Sequence, residues 1–243
     1  MTVLSGQPQS LSLTGGGFHE SKIIEGIEPF FGVGVPLWKR SMDIVGASVL
    51  LVLLLPVFLG VAMLIKLVSR GPVIYRQDRL GVGGRKFSFL KFRTMQVADS
   101  DACHQQYLQR LIACSDTSCP PPMKKLDTCN PNIIPLGRFL RSTCLDELPQ
   151  LINVLRGEMS LVGPRPPIPY EAAAYMPWHS TRFNCLPGMT GLWQISGKNR
   201  LCFRDMIRLD IRYAREMSFW TDIEILFKTP FSIWREYSLA KDG

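Results

Sequence analysis

From Ile44 to Ile65 the chain runs for 22 residues without a charge (IVGASVLLVLLLPVFLGVAMLI), whereas polar and apolar positions are mixed on either side of it. At 1.5 Å per residue such a helix is about 30 Å long, the thickness of a bilayer's hydrocarbon core. The segment is apolar all round, while the buried helix of a soluble core usually keeps a polar face. Pro56 lies mid-segment, where it removes a backbone hydrogen bond and crowds the carbonyl four residues back, so a kink is expected. Lys39 and Arg40 precede the segment and Lys66 and Arg70 follow it. A spanning helix concentrates its positive charge on one side. Charge at both ends fits a segment that enters, bends at Pro56 and leaves by the same face, with a true span as the alternative.

Residues 1–37 are rich in Gly, Ser, Thr, Gln and Pro, include Gly15-Gly16-Gly17 and show no sustained apolar period, which predicts a disordered leader. No basic stretch leads into a hydrophobic one there, so no secretory or mitochondrial address is expected. Residues 38–70 then form the membrane element and 71–243 the remaining domain. Beyond Gly71-Pro72, VIYRQDRL and RKFSFLKFRTM alternate apolar and charged positions on either side of Gly81-Val82-Gly83-Gly84, the pattern of a β-hairpin. Residues 97–132 are polar and weakly periodic, a helical insertion followed by a loop. Leu136 to Arg156 carries apolar positions at helical spacing, with Asp146-Glu147-Leu148-Pro149 opening a second helix, where acids and proline suit the first turn. Amphipathic helices are predicted over 203–216 and 219–236. The second is rich in Phe and Trp, which suits a membrane interface or ordinary core packing equally. The fold class is therefore α+β, mainly helical: a proline-kinked re-entrant membrane helix, then a small domain with a β-hairpin and interfacial amphipathic helices.

With 28 Lys and Arg against 20 Asp and Glu, a formal charge of +8 and a pI near 9.3, the chain calls for anionic partners: nucleic acid, lipid headgroups or phosphorylated substrates. Nucleic acid is disfavoured, because the charge is interrupted by a hydrophobic segment and no nucleic-acid reading motif is present. Seven cysteines without CxxC or His-paired zinc spacing are expected to be mostly reduced thiols; four of them fall between Cys103 and Cys129.

The chemistry gathers in Lys91-Phe92-Arg93-Thr94-Met95, Arg138 with Arg141, Asp146-Glu147 and Pro164-Arg165-Pro166. A carboxylate can attack phosphorus to form an acyl phosphate and so split a transfer into two displacements. Adjacent carboxylates are also oxygen ligands suited to Mg²⁺. Guanidinium forks match phosphate oxygens, and prolines on either side of Arg165 hold its origin still. Lys91 and Arg93 alternate with Phe92 on the second strand, so their heads share a face that either lines the same site or is solvated. In PGMTGLWQISGK, backbone amides and Gln194 are candidates for contacts to a nucleotide donor.

Taken in order, GPVIYRQDRLG, KFRTM, LGRFLRSTCLDELPQLINVLRGEMSLVGPRP and PGMTGLWQISG, following a proline-broken hydrophobic segment, resemble the bacterial sugar transferase family of monotopic phosphoglycosyl transferases over about residues 38–236. With one hydrophobic segment, the chain is most similar to the short forms that initiate exopolysaccharide synthesis. The resemblance implies transfer of a sugar 1-phosphate from a UDP-sugar, such as UDP-glucose or UDP-galactose, to undecaprenyl phosphate with release of UMP. Asp146 matches the family's nucleophile and Glu147 its dyad partner, the two together holding Mg²⁺, while Arg141 and Arg165 match its phosphate-binding arginines. The implied location is the bacterial inner membrane with the catalytic domain on the cytoplasmic face; the lipid bilayer is then a partner, and amphipathic surfaces leave room for a homodimer. The sequence departs from the family at Leu55, where many members carry a serine whose hydroxyl supports the bend. Two other readings use the same residues: a non-catalytic membrane-anchored assembly protein, which the intact Asp146-Glu147 pair argues against, and a Mg²⁺-dependent diphosphate hydrolase.

Overall fold

The structure is a computed structural model and describes residues 34–96, 132–197 and 201–241. The expected leader and the Cys-rich insertion fall almost entirely outside these residues.

The uncharged segment forms two helices, α1 (Leu37–Leu53) and α2 (Leu55–Val68), bent by 62° across Leu54. Pro56 stands in the first turn of α2, where a missing N–H costs nothing. Its ring crowds the carbonyl of Val52 four residues back, which ends α1. Leu55 offers no hydroxyl, and the break forms without one. Among the described residues no single helix is long and apolar enough to cross a membrane, although the bent pair passes that test together.

The start of α1 is not an interfacial flank. Lys39 is 1% exposed: Nζ donates to the carbonyl of Val162 (2.8 Å) and pairs with the Asp222 carboxylate. Asp43 Oδ1 accepts from Ser160 Oγ (2.8 Å) and from the Leu161 amide (2.9 Å). Arg40 donates to the carbonyls of Val154 (2.6 Å) and Leu155 (2.7 Å), in the last turn of α4 described below. The two cations read as flanking charge are therefore occupied inside the protein, and α1 is rooted in the domain by a buried polar cluster.

The predicted hairpin is present. β1 (Ile74–Leu80) pairs antiparallel with β2 (Lys86–Phe92), Ile74 opposite Phe92 and Leu80 opposite Lys86, and Gly83 and Gly84 take the left-handed turn positions (φ 68° and 69°). Next come α3 (Gly137–Ser142), a 3₁₀ turn (Leu145–Glu147) and α4 (Gln150–Arg156). Asp146 and Glu147 thus occupy a separate turn ahead of α4 instead of its first turn, and Pro149 is the α4 N-cap. β3 (Ser160–Val162) pairs in parallel with β4 (Gly188–Thr190), with α5 (Pro169–Ala172) and a 3₁₀ stretch (Pro177–Asn184) between them. Their backbones close to a distance that only glycine permits: a Cβ on Gly188 would lie 2.0 Å from the Gly163 nitrogen. The short α6 (Leu192–Ile195) leads to α7 (Phe203–Glu216) and α8 (Phe219–Lys241), which match the two predicted amphipathic helices.

One core, including Leu151, Val154, Met159, Val162, Tyr213 and Ile225, joins α4, β3, α7 and α8. A second joins α2 to the hairpin and α3 through Val61, Ile65, Phe92, Ile134 and Leu140. The fold is α+β and mainly helical, with two small two-stranded sheets. A long apolar surface stays uncovered: Val52, Leu59 and Leu67 on the helix pair, and Trp220, Phe227, Phe231 and Trp234 on α8, are all more than 60% exposed.

Candidate active site

The 3₁₀ turn that carries Asp146 and Glu147 starts from Cys144, a non-glycine residue in left-handed conformation (φ 56°). Such positions cost energy and persist where surrounding structure imposes them. The turn lies beside β2, and Asp146 is buried. Burial first, and then the neighbouring Glu147 charge, push the Asp146 carboxyl up to about 7, against the opposing pull of Lys91 and Arg141.

The cations come from three separate elements. Lys91 reaches across the hairpin to Tyr75, its Nζ 5.1 Å from the ring centroid. Burial, and next the charge of Arg79, lower its ammonium to about 8, with Arg141 and Arg165 adding to the same effect and Asp146 opposing it. Arg141, on α3, donates to Met95 Sδ (3.2 Å), which ties it to the end of the KFRTM tract. Arg165 is exposed between buried Pro164 and Pro166. The structure therefore brings Asp146, Glu147, Lys91, Arg141 and Arg165 into one electrostatic neighbourhood.

The described side-chain hydrogen bonds of Arg93 and Gln194 run to main-chain carbonyls. Arg93 lies beyond the end of β2 and donates to the carbonyls of Arg70 (2.8 Å) and Ser69 (3.0 Å), capping the end of α2. A Cβ on Gly71 (φ 121°) would meet its Nη1 at 2.5 Å. The Gln194 side-chain amide donates to the Met189 carbonyl (3.4 Å), and the Gln194 main-chain carbonyl accepts from the Ser232 hydroxyl of α8 (3.0 Å).

Two buried arginines were not singled out from the sequence. Arg79, 5% exposed, donates to the Pro166 carbonyl (2.7 Å) and to Gln77 Oε1 (2.9 Å), with its guanidinium 4.7 Å from the Phe89 ring centroid. Burial, followed by the charge of Arg165, lowers it to about 10. Strand parity was the available signal, since residues 75, 77 and 79 pair with 91, 89 and 87 and so share the Lys91 face. Arg182 donates to the carbonyl of Arg165 (2.8 Å), to the Tyr175 hydroxyl (2.6 Å) and to Asp210 (2.5 Å). Burial alone would lower its pKa, but Tyr175, Asp210 and Glu171 more than offset it and hold the guanidinium charged. No local pattern announces Arg182, because its partners lie up to 28 residues away.

Lys91 of β2 and Arg141 of α3 act on the buried Asp146 carboxyl, and Arg79 and Arg165 act in turn on Lys91, so the neighbourhood is cationic and suits anionic groups. Comparison with known proteins decides the lineage: the family described as bacterial sugar transferase matches residues 35–236. The chain belongs to the bacterial sugar transferase family. It is 44% identical over 193 residues to a UDP-galactose-lipid carrier transferase of Erwinia amylovora, covering 79% of this chain and 39% of that protein. It is 38% identical over 191 residues to the exopolysaccharide production protein ExoY of Rhizobium meliloti, covering 79% of this chain and 83% of that protein. Against the UDP-glucose:undecaprenyl-phosphate glucose-1-phosphate transferase of Escherichia coli it is 38% identical over 211 residues, covering 84% and 41%. The chain thus spans about two fifths of the length of the first and third of these sugar transferases.

Proposed function

We propose that this sugar transferase moves a sugar 1-phosphate from a UDP-sugar, UDP-glucose or UDP-galactose, to undecaprenyl phosphate and releases UMP, the initiating step of exopolysaccharide assembly. The observation that carries the reading is the buried Asp146 carboxylate within reach of the fields of Lys91, Arg141 and, through Lys91, Arg79 and Arg165. The names of the relatives support the donor and acceptor classes.

In the first displacement an Asp146 oxygen attacks the sugar-bearing phosphorus. The P–O bond to the uridine phosphate breaks, UMP leaves with that bond's electron pair, and an aspartyl phosphosugar remains. In the second, an oxygen of the lipid phosphate attacks the same phosphorus, the acyl P–O bond breaks, and Asp146 returns as carboxylate. Polyprenyl diphosphate-sugar is the product. Arg165, exposed on a loop held at three carbonyls, offers a preorganised fork for the phosphate oxygens. Lys91 and Arg141 balance the charge that gathers on Asp146 and the leaving phosphate. Asp146 and Glu147 fit Mg²⁺, which binds through one or two carboxylates plus substrate phosphates. The like-charge pressure of Glu147 on Asp146 is the observation that supports a cation there, and when bound it would supply shielding of the diphosphate. The described residues hold no cluster of three or more metal-ligating side chains, so substrate oxygens and water would complete the shell.

Re-entry of the bent pair is supported by where its ends are held. Lys39 and Asp43 root the start of α1 on β3 and α8, while Arg93, Phe92 and Leu140 hold the end of α2. Both ends thus attach to one body, which suits a segment that dips into the bilayer and returns. The exposed aromatic side of α8 would lie at the headgroup level, and the domain would face the cytoplasm, where nucleotide sugars are made. The test is incubation with radiolabelled UDP-glucose or UDP-galactose, Mg²⁺ and undecaprenyl phosphate. Lipid label and UMP are expected from the native protein and neither from Asp146→Asn; UMP without lipid label would mean hydrolysis and overturn the transfer.

A further inference from the structure

Gln150 opens α4, is 1% exposed, and its amide nitrogen Nε2 has no hydrogen-bond partner among the described residues. A buried donor left unpaired is costly and uncommon in folded proteins, so it calls for a partner that arrives in another state of the molecule. An idle nitrogen matters less in Arg93 and Arg182, which each bond through their other nitrogens. In Gln150 the whole amide donor is idle.

The backbone decides which groups lie within its reach. Leu145–Glu147 form the 3₁₀ turn, and Leu148 (φ −54°, ψ −37°) and Pro149 (φ −60°, ψ −16°) carry the same right-handed coil into α4. Residues three and four apart on such a coil are neighbours, and side chains lean toward its N-terminal end. Gln150 follows Glu147 by three residues and Asp146 by four, which puts its side chain over the carboxylate turn. The residue after it in the same row gives the same direction. Asn153 bonds to β2 at the Leu90 amide (3.1 Å) and the Ser88 carbonyl (2.7 Å), and Asp146 feels the Lys91 charge from that strand. Asp146, Gln150 and Asn153, all buried and at helical spacing, therefore form one row beside β2, against which both the turn and α4 pack.

We propose that Gln150 is a positioning residue of the transfer: its Nε2 donates to the Asp146 oxygen that does not attack, so that the other oxygen is aimed at phosphorus. The proposal rests on Asp146 as the nucleophile of the function proposed above. The bond is not formed in the resting structure and is made by side-chain rotation, as catalytic hydrogen bonds often tighten only once substrate is bound. In the aspartyl phosphosugar the same donor meets the acyl carbonyl oxygen. When the lipid phosphate displaces that acyl group, Asp146 leaves as a carboxylate, and a donor aimed at it stabilises the charge where it develops. A neutral amide does so without adding a further charge beside Glu147.

The test compares the full chain with its Gln150→Met variant for UMP release and lipid labelling, using radiolabelled UDP-glucose or UDP-galactose, Mg²⁺ and undecaprenyl phosphate. Methionine keeps the length of the side chain and loses the donor. The melting temperature of the variant should equal or exceed the native one, because a stranded amide leaves the core. Its kcat should fall by about thirtyfold, the order set by one hydrogen bond to a charged group, while the KM for UDP-sugar stays within about twofold. Gln150→Asn, which carries the donor on a shorter arm, should recover part of the lost kcat. A native kcat in Gln150→Met would overturn the proposal. So would a folded Gln150→Asn no more active than Gln150→Met, or a loss that tracks a lowered melting temperature, the mark of a packing role. The native protein is the control for the proposed function: absence of UMP release there would sink that function, whereas a failure confined to the Gln150 variants leaves it standing.

Discussion

Arg182 donates to the main-chain carbonyl of Arg165 at 2.8 Å and, through the same Nη2, to Asp210 at 2.5 Å. The exposed arginine proposed to grip phosphate is thus positioned by a buried one. The loop is held again at Pro166 by Arg79 (2.7 Å) and at Pro167 by the Leu80 amide (3.0 Å). Replacing Arg182 with Met leaves Asp210 buried without its partner. Loss of one member of such a pair costs about 3–5 kcal/mol, to be read as a lower denaturant midpoint.

Arg79→Lys keeps the charge but cannot bridge Pro166 and Gln77 with one planar fork. Thermal stability should fall by only a few degrees, while single-turnover UMP release slows by about tenfold, because one of the three anchors of the Arg165 loop is weakened. An unchanged rate with normal stability would remove Arg79 from the positioning of the loop.

The pH profile of UMP release should be a bell. Asp146 attacks as a carboxylate, so the rate rises with pH through about 7, the value set by its burial and by Glu147. Above about 8 the Lys91 cation is lost and the rate declines. Because the two groups interact, the limbs belong to the pair. For stability the sign is opposite: the folded state holds the Asp146 proton up to about 7 while the unfolded chain releases it near 3.8. This contribution is full below 3.8 and is lost as pH rises through 7, so Asp146→Asn should be relatively more stable than the native protein at pH 8 than at pH 4. Parallel denaturation of the two proteins at both pH values checks it.

Gly188→Ala places a methyl group 2.0 Å from the Gly163 nitrogen, against backbone that cannot rotate away. The β3–β4 pair must separate, at a cost of about 3 kcal/mol. A lowered melting temperature is the expected result, and an unperturbed one would contradict the parallel pairing.

Lys39→Met strands Asp222 inside the domain and should cost about 3–5 kcal/mol, whereas the double variant Lys39→Met with Asp222→Leu should recover much of it, since a buried pair replaced by apolar residues is often neutral. Recovery of stability in a double-mutant cycle is the measurement.

Elements whose periodicity is local could be read from the chain alone. An uncharged run broken by Pro56, alternation about a glycine turn, and two amphipathic helices, the second rich in Phe and Trp, are each legible within about twenty residues, because the forces that make them act between near neighbours. Asp146, Glu147, Arg141, Arg165 and Lys91 could be named because they lie in contiguous motifs, and the fold gathers them. Where each charge is used depends on contacts that form only on folding. Lys39 reads as an interfacial flank but is neutralised by Asp222, 183 residues away, and Arg93 reads as a partner of Lys91 but caps a helix 23 residues earlier. Arg79 and Arg182 have the composition of surface cations and are buried on loop carbonyls. An arginine costs too much to bury alone, so its role is set by acceptors that only folding delivers, and no local pattern encodes their approach.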